Sequence, residues 1–154
     1  MTDSIHQGKV LAIRLPIQDK TLLLPYSMVA EVATLSLRPK NGAFLGAVEW
    51  RGVRIPVFSI ERGCGESVEI LAGRVRLAVL YGVRDTAKRP YFALTLAGMP
   101  HTESLTSSQL LEATEGVPEG LCQLLGMPAR LRDEAMFVPD MLELEAWMDS
   151  VEES

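Results

Sequence analysis

Gly46-Ala-Val-Glu-Trp-Arg-Gly-Val-Arg-Ile-Pro-Val-Phe-Ser-Ile60 decides how the rest of the chain is read. Phe44 to Val48 and Val53 to Ile60 are rich in aromatic and branched apolar residues and read as two strands. They flank a tight turn at Arg51-Gly52, where Gly52 can take a positive φ without steric cost, as a short hairpin requires. An arginine at a hairpin tip is exposed, rigidly held and rich in donors. Trp50 beside it is a large apolar body, and exposed Arg and Trp together are frequent anchors of protein interfaces. The other reading is a solvated turn with Trp50 tucked inward; the residues alone leave both open.

Outward from the hairpin, most segments also read as short strands. Val10 to Leu15 is one, ending at Pro16, and Thr21 to Pro25 returns after the polar turn Gln18-Asp19-Lys20. Ser27 has the hydroxyl favoured at a helix N-cap. Met28, Val29, Val32 and Leu35 then recur at helical spacing around Glu31, which predicts a short amphipathic helix over 27–35. Arg38-Pro-Lys-Asn-Gly42 and Arg62-Gly-Cys-Gly65 are turn clusters. Arg74 to Tyr81 and Tyr91 to Leu96 are predicted strands on either side of a turn at Lys88-Arg-Pro90. Gly120 to Gly126 and Ala135 to Val138 are shorter candidates, and Ser107 to Glu112 holds one or two helical turns. Asp140 can cap a final helix with Leu144, Trp147, Met148 and Val151 on one stripe. Glu143, Glu145, Asp149 and Glu152 fall outside that stripe, so the helix is acidic and amphipathic, and its stripe is expected to pack on the chain's own barrel. Many short strands at intervals of about 10 residues predict a barrel or sandwich.

The 154 residues suit one domain, or two small subdomains sharing a core, with no need of a disulfide or metal to fold. The net charge of −5 repels phosphate backbones, which argues against nucleic acid as a partner. Cys64 and Cys122 stand far apart, neither in a Cys-x-x-Cys, and are expected to be two reduced thiols. Met1 to Lys9 is polar and the next apolar run is broken by Arg14 and Pro16, which does not fit a signal peptide; no run reaches the length of a membrane span.

No phosphate-binding glycine loop, zinc-protease helix motif or nucleophile elbow occurs in the sequence. His101 with Glu103 reads as a solvated turn rather than a metal pair, and the acid pairs Asp133-Glu134 and Glu152-Glu153 lack the apolar setting that acid–base work needs. No catalytic, metal or cofactor site is therefore expected.

Gly46-x-Val48-x-x-Arg51-Gly52-x-x-Ile55-Pro56-Val57 resembles the signature of the CheW-like domain family, whose chemotaxis coupling proteins typically read Gly-Val-Ile-Asn-Leu-Arg-Gly-x-Val-Ile-Pro-Val-x-Asp-Leu there. Upstream, Tyr26 to Leu35 is similar to the family's first helix, and Arg38-Pro39 to its proline-bearing link; the likeness spans residues 9 to 66. Glu49, Trp50 and Ser59 depart from the usual Asn, Leu and Asp, and Tyr91 to Leu96 stands where a Gly-Leu-x-Val-Asp strand is usual, so the chain looks like a divergent member.

The resemblance implies a mainly β fold of two five-stranded SH3-like barrels sharing a core, with one or two short helices and the C-terminal helix. Mapped onto this chain, the subdomains would cover 20–75 and 76–138, with the strand at 9–15 packing across and the helix at 139–154. It also implies a cytoplasmic, non-enzymatic adaptor without cofactor, placed at membrane receptor arrays but not inserted in the membrane. Such an adaptor couples the cytoplasmic tips of methyl-accepting chemoreceptors to the regulatory domain of a CheA-type histidine kinase. The divergence points to an alternative system such as one governing pilus-based twitching motility. Arg51 leads the expected partner-binding residues, with Gly52, Trp50, Glu49 and Arg38 beside it and Val29 and Val32 as candidates for a receptor groove. The competing class is a small-molecule-binding β-barrel or small hydrolase, which needs a pocket with convergent polar groups.

Overall fold

Alternating and branched apolar runs become eleven strands in the computed structural model, which describes residues 9–112 and 122–152. Strands β1 (Lys9–Ile17) and β2 (Lys20–Pro25) form the first hairpin, and β3 (Val29–Leu37) follows a single 3-10 turn at Tyr26–Met28. The quoted stretch forms β4 (Phe44–Trp50) and β5 (Val53–Phe58) and runs into a one-turn helix α1 (Ile60–Gly63). Next come β6 (Gly73–Tyr81), β7 (Tyr91–Thr95), β8 (His101–Thr106), β9 (Leu110–Glu112), β10 (Met127–Leu131) and β11 (Glu134–Val138), and the described chain ends in α2 (Met141–Glu152).

The strands divide into a five-stranded sheet ordered β3-β6-β7-β5-β4 and a six-stranded sheet ordered β8-β1-β2-β11-β10-β9. The mainly β, two-unit architecture expected from the sequence is present, with the short β9 adding a sixth strand beside β10. The dividing line differs from the expected one. Residues 76–95 hydrogen-bond into the sheet of β3 to β5, and β2 stays with β1 in the other sheet.

Each sheet keeps a core inside its own curl. Leu45, Val48, Trp50, Ile55, Val57, Leu77, Val79 and Ala93 fill the five-stranded unit. Ala12, Leu23, Leu105, Leu131 and Met136 fill the other. A third and larger core lies between them, where Ile13, Leu15, Leu22 and Leu24 meet Phe58, Leu80, Phe92 and Leu94. The central strands of the five-stranded unit are therefore apolar on both faces, which is why Leu77–Leu80 and Phe92–Leu94 are continuous buried runs.

The same two-sided burial explains why no helix forms over 27–35. Strand β3 pairs with β6 along its length, with a register shift between Val29 and Glu31. Val29 and Val32 face the shared core, while Ala30, Leu35 and Leu37 face the inner core. Apolar residues on both faces, offset by a bulge, imitate a helical stripe in sequence. Ser27 lies inside the 3-10 turn, whose N-cap position is Pro25, and strand rather than helix follows it. Glu31 likewise does not sit in a helical first turn but on a strand.

Other expectations are corrected as well. Cys64 and Cys122 form a disulfide across a sequence separation of 58, with Cα atoms 5.3 Å apart, and so are not separate reduced thiols. The bond ties the end of α1 to the 3-10 turn Gln123–Leu125, which occupies part of the strand expected over 120–126; residues 120 and 121 lie outside the described residues. The strand begins just afterwards at Met127. His101 and Glu103 belong to strand β8 rather than a turn, and the Glu103 carboxylate pairs with Arg14 and with Arg132 at 2.8 Å. Only Leu105 of β8 is buried, so the strand had almost no apolar alternation to betray it.

The final helix begins as its sequence predicts. Asp140 Oδ1 accepts the backbone N–H groups of Leu142 at 3.0 Å and Glu143 at 3.2 Å. Leu144 and Met148 enter the shared core, and Trp147 and Val151 pack against it. Glu145, expected on the polar side, is fully buried instead: its carboxylate accepts the N–H of Val83 at 2.8 Å and lies 3.3 Å from that of Arg84. Asp149 pairs with Arg84, with Lys88 at 3.4 Å and with Arg89 at 2.8 Å. The acidic face of α2 is thus bound to the 82–90 connection, and the turn at Lys88-Arg-Pro90 carries a buried arginine, Arg89.

Candidate functional site

The β4–β5 turn places Arg51 and Gly52 at φ 50° and 76°. Positive φ at both central residues is the twist that a two-residue hairpin needs. The Arg51 side chain is 68% exposed, yet it is not free. Its Nη2 lies 3.0 Å from Glu31 Oε1, and its guanidinium stacks 5.0 Å from the centre of the Trp50 ring. Trp50 Nε1 donates to the same Glu31 oxygen at 2.8 Å.

These three residues join two edges. Glu31 is on β3 and Trp50 on β4, the two outer strands of the five-stranded sheet. Where the curled sheet is not closed by backbone bonds at this point, one carboxylate closes it with side-chain bonds. The Trp50 ring then packs on Tyr91 at 5.0 Å, and Tyr91 on Tyr81 at 5.6 Å. Tyr81 and Tyr91 are direct partners in the β6–β7 register. The result is a surface strip that runs from an exposed arginine, over the edge of a buried indole, to an exposed tyrosine. Arginine and aromatic side chains held rigidly in this way are suited to docking a protein and offer no nucleophile or base in a pocket. Among the described residues, no group of three or more His, Cys, Asp or Glu could hold a metal ion.

The expected partner-binding residues separate on this frame. Arg51, Gly52 and Glu49 are exposed together at the hairpin. Trp50 is 6% exposed, so it is the platform beneath Arg51 and not an exposed anchor. Its Nε1 finds a carboxylate and its ring fills the end of the inner core, which leaves only an edge for a partner. Arg38 is exposed but lies beyond the far end of β3 from Glu31, about 23 Å along the strand, and does not join the strip. Val29 is buried and Val32 packs against the shared core, so neither lines an open groove on the surface. Glu31, Tyr81 and Tyr91 are site members that sequence reasoning missed. The two tyrosines bracket the β6–β7 connection symmetrically, which was the available signal.

Two of the three substitutions in the CheW-like signature, Trp50 and Ser59, have structural explanations. Trp50 replaces one core apolar residue by another. Ser59 is buried and caps α1 by accepting the N–H of Arg62 at 3.1 Å, a task that an aspartate performs equally well. The Ser59 hydroxyl also sits 3.3 Å from the carboxyl of Glu61, whose pKa burial pushes up. Only Glu49, exposed and opposite Arg54 in the register, changes the outer surface.

A curled five-stranded sheet and a six-stranded sheet share one core, and a donor-rich hairpin tip stands at the open seam of the first. The fold is CheW-like. Among solved structures, the chain is similar to the crystal structure of the scaffolding protein TtCheW from Thermoanaerobacter tengcongensis, with a TM-score of 0.67 and 14% sequence identity over 88% of this chain and 91% of that one. No family model matches the chain, and no curated protein is similar to it in sequence. No described helix is long and apolar enough to cross a membrane.

Proposed function

We propose that this chain is a non-enzymatic chemosensory adaptor that couples the cytoplasmic tips of chemoreceptors to a CheA-type histidine kinase, with Arg51 at the centre of the docking surface. The observation that carries this reading is the hairpin clasp. An arginine at the signature position is held on Trp50 and Glu31, in a fold shared with a scaffolding protein. The adaptor works in the cytoplasm at receptor arrays. Glu49, the one signature departure that faces outward, fits a partner set other than that of flagellar chemotaxis, such as a system that drives pilus-based motility.

The mechanism is thermodynamic. Contacts to receptor and kinase are individually modest, and a receptor state that alters one contact biases the kinase through the difference in contact energy. Arg51→Asp places a negative charge beside Glu31 at an exposed turn, so it should leave the core intact and weaken capture of the kinase or receptor fragment at least tenfold. Co-precipitation at wild-type strength with an unchanged circular dichroism spectrum would remove Arg51 from the interface. A pull-down from native lysate that returns neither a histidine kinase nor a chemoreceptor would overturn the adaptor reading itself.

A further inference from the structure

The outer face of the β4–β5 hairpin, turned away from the inner core, borders a cavity of about 390 Å³. Lys40, Arg54, Lys88 and Arg89 line it against a single carboxylate, Glu152, with Gly46 on the hairpin side. Two of these cations already have anionic partners: Lys88 reaches Asp149, and Arg89 Nη2 donates to Asp149 at 2.8 Å and Glu152 at 2.5 Å. Two do not. Lys40 Nζ lies over the Phe44 ring at 5.5 Å, and neither Lys40 nor Arg54, which faces Glu49 across the hairpin, has an ion pair among the described residues.

Arg89 is the second, independent pointer. It is 3% exposed, and its Nε and Nη1 are buried with no hydrogen-bond acceptor among the described residues. Buried guanidinium donors are almost always paired, because an unmet donor forfeits its hydration without return. The Nη2 of this guanidinium is satisfied by α2, whereas Nε and Nη1 lack an acceptor among the described residues.

We propose that this cavity binds a phosphate group, either the free ion or the phosphoryl end of a small metabolite. Lys40 and Arg54 would hold it from the hairpin side, and Lys88 with an unpaired N–H of Arg89 from the α2 side. A phosphate suits the site better than a carboxylate. It brings two charges to a lining with an excess of cations, and it has enough oxygens to accept from several donors at once. The site is outside both barrel interiors, which side chains fill, and it does not depend on the adaptor reading. It bridges the hairpin that presents Arg51 and the helix that closes the chain, so an occupant would stiffen the two against each other.

The test uses the full chain and inorganic phosphate, with sodium chloride and sodium acetate at matched ionic strength. Phosphate should raise the melting temperature saturably, and chloride and acetate should not. Lys40→Ala with Arg54→Ala removes two exposed side chains without touching a core, and it should weaken phosphate binding at least tenfold by calorimetry. Arg89→Lys, read by the same titration, should also lose affinity; if it fails to fold, the exposed pair decides the matter. Tighter binding of glycerol phosphate than of phosphate assigns the site to an ester and the reverse assigns it to the free ion; either sustains the proposal. No saturable response to phosphate, an equal response to acetate, or unchanged affinity in the double variant would overturn it.

Discussion

Removing the Glu31 carboxylate should open the seam of the five-stranded unit by an amount that can be worked out from its bonds. The Trp50 Nε1 bond of 2.8 Å has a charged acceptor and a buried donor. Such bonds contribute about 1.5–3 kcal/mol, and the lower end applies because the carboxylate is partly open to water. The ion pair to Arg51 adds little, about 0–0.5 kcal/mol, because Arg51 is mostly exposed and well screened. Glu31→Ala should therefore cost about 1.5–2 kcal/mol, a fall in Tm of about 3–8 °C for a domain of this size. Glu31→Gln keeps an acceptor for the indole and loses the charge, so it should cost about half as much. Urea unfolding of Glu31→Ala, Trp50→Phe and the double variant closes a cycle whose coupling should be about 1 kcal/mol. A Glu31→Ala loss within about 0.5 kcal/mol of zero, or additive single costs, would refute the clasp.

Further outcomes follow from the α2 contacts and the disulfide. Asp149 has a folded-state pKa of about 2 rather than its ordinary 3.8, chiefly because Arg89 donates to it. A depressed value means that the contribution is complete above the ordinary pKa and is lost as pH falls through the folded one. Urea midpoints should therefore drop between about pH 4 and pH 2, and the drop should be smaller in Asp149→Asn; an identical pH profile would exclude the pair as its source. Glu145→Ala removes the acceptor of the part-buried N–H groups of Val83 and Arg84 and should cost about 1–2 kcal/mol by chemical denaturation, whereas a cost near zero would show that water replaces the carboxylate. Reducing the Cys64–Cys122 bond frees a loop with a sequence separation of 58, worth about 4 kcal/mol in chain entropy. An unfolding midpoint that is unchanged in dithiothreitol would refute that contribution.

The amino-acid sequence by itself determined the hairpin, the first strand pair, the capped C-terminal helix and the absence of any recognisable catalytic motif, because each rests on local chemistry. Arg51-Gly52 can turn, Asp140 can cap, and the Leu144–Met148 stripe must find a core. Only the tertiary structure decided that Val29 to Leu37 is a strand, because two cores claim opposite faces of one segment and their sum looks helical. Only it could pair Cys64 with Cys122, set residues 76–95 into the first sheet and bring Glu31 to the indole of Trp50. Those are meetings between residues distant along the chain. No local propensity encodes such a meeting, which depends on which sheet edge each strand reaches once apolar surface has been buried on both faces.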